Sequence, residues 1–487
     1  MIPYKKVSEI HDAFDKRKIS PSELTQEYLT DIKSSDLNSY ITVCEDRAIH
    51  QAQIADSVFL KHGKTPREQY PLFGIPLGIK DVLTIDGVRT TSASKVLGNY
   101  IPPYTATAVT RLENAGGISL GKLNMDEFAM GSSNENSAYG AVKHPTHPEY
   151  VPGGSSGGSA AAVKAGLCLA SLGTDTGGSI RLPASFCGVV GFKPTYGRIS
   201  RYGLIAFASS LDQIGPLTHS VEDAALLSEV MSGPDVYDST TVPVLKGSWY
   251  QAVLDKKTDC SKLRIGVPKE YFGDGINKDV ASAIQKSIDW FKKQGAQIVD
   301  ISLPHTEYAV ATYYVVAVSE ASSNLARMDG IRFGARSKET GDAQNLTDFY
   351  QKVRSQFGPE VKRRIILGTF ALSSGYYDAY YGRACQVRRL IKNDFQQAFQ
   401  KVDLILSPVA PTTAFKRGEK VSNPLQMYLM DICTIPASLA GLPAISVPCG
   451  KGDNDLPIGL HMIGQEFKED ILLDVANQFE QGAGNAS

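Results

Sequence analysis

From Leu72 to Asp81 the chain reads LFGIPLGIKD, and its aliphatic residues fall on every second position. Ile75, Leu77 and Ile79 alternate with Pro76, Gly78 and Lys80. A repeat of two belongs to a β-strand, whose successive side chains point to opposite faces. The pattern predicts a strand ending at Lys80, with the amine on the face opposite the aliphatic residues. Two small residues precede it on that face and leave room for a neighbour. The ordinary occupant of such a position is a solvated lysine.

Helical repeats flank this strand. Ser20-Pro21-Ser22-Glu23 is a capping box with proline at the first helical position, so a helix is expected over 21–33. Residues 40–44 read as a short strand, and Ala48, Ala52, Ala55 and Phe59 share one side of a helix over 45–61. A helix over 107–115 is closed by Gly116-Gly117 and followed by a strand over 118–122. The alanine-rich stretch 159–164 predicts a helix, 168–173 a buried strand, and Ser220-Val221-Glu222-Asp223 opens a helix to about residue 231. Residues 233–261 are polar and irregular, and read as a linker or surface excursion. Strands are expected at 264–268, 297–302 and 401–407, and helices over 279–294, 308–326, 359–400 and from 469. Short elements at 425–435, 444–447 and 458–463 complete the pattern, which contains no internal repeat. Strand, glycine turn and helix recur, the mark of an α/β protein.

Composition narrows the function classes. The chain has 487 residues, 42% of them hydrophobic, enough for a sizeable core. Fifty Lys+Arg against 51 Asp+Glu leave no electrostatic footprint for gripping nucleic acid alone. The seven cysteines form no C-x-x-C pair and read as reduced thiols of a cytoplasmic protein. His144 and His147, the closest histidines, lack further ligands nearby, so no metal site is expected. The N-terminal MIPYKKVSEIHDAFDKRK has no apolar core of a secretory signal, and no run of 18 apolar residues exists.

The chemistry concentrates in residues 150–198, where two glycine-flanked serines, Ser155 and Ser179, stand in GGSSGG and DTGGS. Small residues bare main-chain N–H groups that can hold an oxyanion, and a serine beside them can attack a carbonyl once a base takes its proton. A phosphate loop would need Lys-Ser/Thr after the glycines, which is absent. Gly154-Ser155-Ser156-Gly157-Gly158 matches G-x-S-x-G, but Pro152-Gly153-Gly154 is a poor strand end for that hydrolase turn. Ser92-Ala93-Ser94-Lys95 matches S-x-x-K without the companion motifs S-D-N and K-T-G.

Lys80, Ser155 and Ser179 taken together, within FGIPLGIKD, GKLNMDEFAMG, VPGGSSGGSAAAV, LGTDTGGSIRLPASFCGVVGFKPTYGR and SLDQIGPL, resemble the amidase signature family. The resemblance implies a single α/β domain over 1–487, a mixed central sheet with helices on both faces. Its parts would be an N-terminal helical region to 70, a catalytic core over 71–232, helical elaborations over about 233–400 and a return to the sheet over 401–487. It implies Ser179 as nucleophile, Ser155 after a cis peptide as relay, and Lys80 as base. The oxyanion would be held by the N–H groups of Thr176, Gly177, Gly178 and Ser179. Physical chemistry agrees with these roles: a lysine serves as base only when neutral, and burial can lower its pKa by about 3–5 units.

DGIRFG, EVKRRIILGTFALSSGYYDAYY and MYLMDICTIPASLAGLPAISVPCG narrow the likeness to the glutamine-hydrolysing subunits of tRNA-dependent amidotransferases. That likeness implies glutamine as substrate, with Arg364 for its α-carboxylate, Asp431 for its α-ammonium and Tyr313 nearby. It also implies B and C subunits as partners in a heterotrimer. Mischarged Glu-tRNA(Gln) or Asp-tRNA(Asn) would be handled through the B subunit. ATP and Mg2+ would be used by the assembled complex, with no cofactor in this chain. The rival readings are a free-standing amidase of small amides and a non-enzymatic subunit that keeps only the fold.

Overall fold

The computed structural model describes residues 2–243, 247–273, 275–334, 341–420 and 423–483. Its strands are β1 (Tyr40–Val43), β2 (Ile75–Lys80), β3 (Gly117–Leu123), β4 (Ala170–Asp175), β5 (Val190–Lys193), β6 (Gln213–Thr218), β7 (Arg264–Pro268), β8 (Gln297–Ile301), β9 (Leu404–Pro408), β10 (Ala444–Lys451) and β11 (Pro457–Gly464). They form one sheet in the order β1-β3-β2-β4-β6-β5-β10-β11-β9-β7-β8. β2 runs parallel to β3 and β4, and β7 parallel to β8 and β9, while the pairs between these groups are antiparallel. The sheet is mixed, as expected.

Both faces are covered. Ile405 of β9 packs into one apolar cluster, whereas its neighbours Leu404 and Leu406 pack into another. Ala444 and Ile445 of β10 divide in the same way, as successive side chains of a strand must. Each fully buried aliphatic side chain contributes about 1.5–3 kcal/mol relative to exposure. The first cluster takes in helices from both ends of the chain, from Ile10 and Leu24 to Ile391 and Phe395.

Most predicted elements fall within two residues of their observed bounds, among them the helices Pro21–Ser34, Glu45–His62 and Lys278–Lys293. Ser20 and Ser220 cap their helices through hydrogen bonds from the amides of Glu23 and Asp223. Two expectations need correction. The helix expected over 359–400 is two helices, Pro359–Ala371 and Arg383–Ala398, separated by a turn in which Gly375 takes a φ of 85°. The stretch 233–261 is not wholly irregular: Trp249–Asp255 is a helix, held by its buried Trp249 and Val253. Lys80 ends β2 as expected, and it is buried with the rest of the strand rather than solvated. Among the described residues no helix is long and apolar enough to cross a membrane.

Candidate active site

β2 and β4 are parallel neighbours, so Lys80 and Thr174 come to the same edge of the sheet at the ends of their strands. The chain leaves β4 through Asp175 to Ile180 and enters the helix Arg181–Cys187. A second loop, ending in Ser156, feeds the helix Gly157–Lys164. These two loops bring Ser155 to Lys80 and set Ser179 against Ser156.

The Lys80 amine is fully buried and lies 2.8 Å from Ser155 Oγ, 2.8 Å from Ser156 Oγ and 2.8 Å from Thr174 Oγ1. Burial lowers its pKa to about 7, against the opposing pull of Asp126, Asp175 and Asp212. A neutral amine has two N–H groups and one lone pair. Ser156 donates to the Thr174 carbonyl at 3.2 Å and accepts from the Thr174 amide at 3.3 Å, so toward Lys80 it acts as acceptor. Three hydroxyls thus surround the amine, and once it is neutral its lone pair can accept from the Ser155 hydroxyl. Sequence reasoning missed Ser156 and Thr174. The doubled serine of GGSSGG was the available signal for the first.

Ser179 is 8% exposed, more open than Lys80 or Ser155. Its carbonyl accepts from the Ser156 amide at 3.2 Å, which docks one loop on the other. The Gly154–Ser155 peptide is cis. Among the described residues no hydrogen bond joins the hydroxyls of Ser155 and Ser179, and the N–H groups of Thr176, Gly177, Gly178 and Ser179 donate to no partner. Four adjacent free donors beside a serine match the need of an oxyanion.

The loops are held from behind. Asp126 accepts from the amides of Asn134 and Asn136 at 2.9 and 3.0 Å, and its own amide donates to the Ser155 carbonyl at 3.2 Å. A Cβ at Gly154 would overlap the Asp126 carboxylate, so only glycine lets the two segments meet. Burial pushes Asp126 up to about 6. Asp175 pairs with Arg181 through two contacts of 2.9 Å, both side chains fully buried. Burial acts to raise the Asp175 carboxyl, but the charge and hydrogen bonds of Arg181 hold it below the usual range.

Tyr313 and Asp431 border the glycine loop. A Cβ at Gly177 would come within 2.8 Å of the Tyr313 ring, and one at Gly178 within 2.6 Å of Asp431 Oδ1. Ser132 donates to Asp431 Oδ2 at 2.5 Å, while Oδ1 is buried without a hydrogen-bond partner among the described residues. Burial pushes Asp431 up to about 7, and Arg364 pulls against it. Arg364 lies in the helix Pro359–Ala371 and is 3% exposed. Its guanidinium sits over the rings of Tyr314, Phe207 and Tyr428 at 5.2, 5.5 and 5.5 Å. Its Nε donates to Glu360 at 2.8 Å, and among the described residues its two Nη groups have no hydrogen-bond partner. An unpartnered carboxylate oxygen and an open guanidinium fork near one another suit a zwitterion.

Comparison with known proteins places the chain as a whole. The A subunit of the glutamyl-tRNA(Gln) amidotransferase from Syntrophobacter fumaroxidans is 54% identical, covering 98% of this chain and 96% of its own. The corresponding A subunit from Geobacter metallireducens is 52% identical over 98% of this chain and 96% of its own. The crystal structure of the glutamyl-tRNA(Gln) amidotransferase A subunit from Thermotoga maritima superposes with a TM-score of 0.77 at 42% identity, covering 95% of this chain and 92% of that one. The model of the amidase family matches residues 23–473, which takes in both loops and all the side chains described above, and the chain belongs to that family.

Proposed function

We propose that this protein is the glutaminase subunit of a tRNA-dependent amidotransferase, working through Lys80, Ser155 and Ser179. The observation that carries the reading is the fully buried Lys80 amine, 2.8 Å from the hydroxyls of Ser155, Ser156 and Thr174. The near-full-length likeness to proteins named for glutamyl-tRNA(Gln) amidotransferase supports the choice of substrate and assembly.

Glutamine binds with its α-carboxylate on Arg364 and its α-ammonium on Asp431, with Tyr313 alongside. Ser179 Oγ attacks the side-chain amide carbon. Its proton passes to Ser155 Oγ as the Ser155 proton passes to Lys80 Nζ. The N–H groups of Thr176, Gly177, Gly178 and Ser179 take the charge that develops on the carbonyl oxygen. The proton returns to the leaving nitrogen, ammonia departs, and a γ-glutamyl ester remains on Ser179. Water attacks the ester by the same relay and glutamate leaves.

The ammonia is used by partner B and C subunits, where ATP and Mg2+ activate the glutamyl or aspartyl group of a mischarged tRNA. No cofactor is assigned to this chain. Residues 1–487 act as one catalytic unit in the cytoplasm.

Ser179→Ala tests the reading. The assembled complex should lose glutamine-dependent amidation and keep amidation supplied with an ammonium salt. Loss of both in a folded complex, or turnover of simple amides but not glutamine by the wild type, would overturn it.

A further inference from the structure

The helix that carries Arg364 and the segment that carries Asp431 meet at one carboxylate. Glu360 lies one turn before Arg364, and its Oε1 accepts from Arg364 Nε at 2.8 Å. The same oxygen accepts from the Tyr428 hydroxyl at 2.8 Å. Tyr428 closes the short helix Pro424–Tyr428 and stands three residues before Asp431. The other oxygen of Glu360 pairs with Arg363. The Tyr428 ring stacks on Tyr314 with centroids 3.9 Å apart, and the Arg364 guanidinium lies over both rings.

A guanidinium can meet a carboxylate along either of two edges, Nε with one Nη or the two Nη groups together. Glu360 occupies Nε, so only the Nη pair is free. The edge that faces the ligand is therefore chosen by Glu360. The Tyr428 bond then ties that edge to the segment bearing the opposite charge. Glu360 and Tyr428 are 68 residues apart, so this bond is a tertiary strut and not a local feature of either helix.

We propose that Glu360 and Tyr428 are positioning residues that fix the cationic and anionic recognition groups at one spacing, and so select a free α-amino acid amide. The proposal rests on the reading of Arg364 and Asp431 given under the proposed function. Neither residue takes part in proton transfer. Their loss weakens substrate recognition and leaves the nucleophile intact.

The experiment uses the full chain with its partner subunits and three variants, Tyr428→Phe, Glu360→Gln and Arg364→Ala. Ammonia release from glutamine gives kcat and KM. Labelling of Ser179 by phenylmethanesulfonyl fluoride, which carries neither charge, reports the nucleophile. Tyr428→Phe keeps the ring and its stacking, so it tests the strut even if Glu360→Gln fails to fold. Tyr428→Phe should raise KM about tenfold, the scale of one lost hydrogen bond to a charged group, with kcat changed less than about threefold. Labelling should proceed at the wild-type rate. An unchanged KM, or a fall in kcat and labelling together, would overturn the proposal. If Arg364→Ala raises KM while the other two variants do not, this inference alone fails. If Arg364→Ala also leaves KM unchanged, the reading of Arg364 fails with it.

Discussion

Lys80 can take a proton only after losing its own, and its buried amine titrates near 7. The neutral fraction rises with pH, so kcat/KM for glutamine should climb between about pH 6 and 8 with a midpoint near 7. Initial rates of ammonia release measure this, and a flat profile would remove Lys80 from the base role. Thr174→Val deletes an acceptor that serves the ammonium more strongly than the amine. The midpoint should move down, and kcat should fall about tenfold as the lone pair loses its alignment. The meeting of Lys80 with Ser155 was legible through the family resemblance carried by the glycine-framed serines and the period-two run around the lysine. Thr174 was not, because it meets Lys80 across 94 residues through the pairing of two strands, which leaves no local trace.

Among the elements, the helix Pro359–Ala371 matters most to the site after the two loops. It packs on the helix Ala309–Asn324, where a Cβ at Gly368 would overlap the Val318 carbonyl. Gly368→Ala should therefore cost about 1–3 kcal/mol, seen as a lower midpoint in thermal or denaturant unfolding. By pushing out the helix that carries Arg364, it should also raise KM for glutamine more than it lowers kcat. Elements with caps or one buried face were legible: Ser20 and Ser220 announce their helices, and Lys278–Lys293 buries a single stripe from Val280 to Phe291. β5 and β6 were not, because VGFK is only four residues long and QIGPLT is broken by glycine and proline, so neither offers a run of strand-forming residues. The helix Trp249–Asp255 spans seven residues and presents only Trp249 and Val253 to the core, too little for a periodic signal.

Across the whole molecule, Arg181 ties the glycine loop after β4 to the C-terminal part of the chain. Besides Asp175 it reaches the Thr434 carbonyl at 3.0 Å, Ser438 Oγ at 2.8 Å and His461 Nε2 at 3.0 Å. Arg181→Met would leave the buried Asp175 carboxylate uncompensated, and should destabilise the protein by about 3–5 kcal/mol at neutral pH. Equilibrium unfolding measures the loss. Asp175 has a lowered folded pKa, so the stability it lends the wild type is present above the unfolded value and is lost as pH falls through the folded one. The variant lacks that contribution throughout, and its acid transition should begin at higher pH.

The pairing of β5 with β10, which sets Gly191 opposite Ser446, has a consequence for how the protein is born. A nascent chain carries Ser179 out of the ribosome long before Ser446 follows. Until then β5 is an unmatched border open to wrong partners, and Gly178 has neither Asp431 nor Thr434 against it. Translation thus delivers the glycine loop of Ser179 well before Asp431 and Thr434, the residues that close against it.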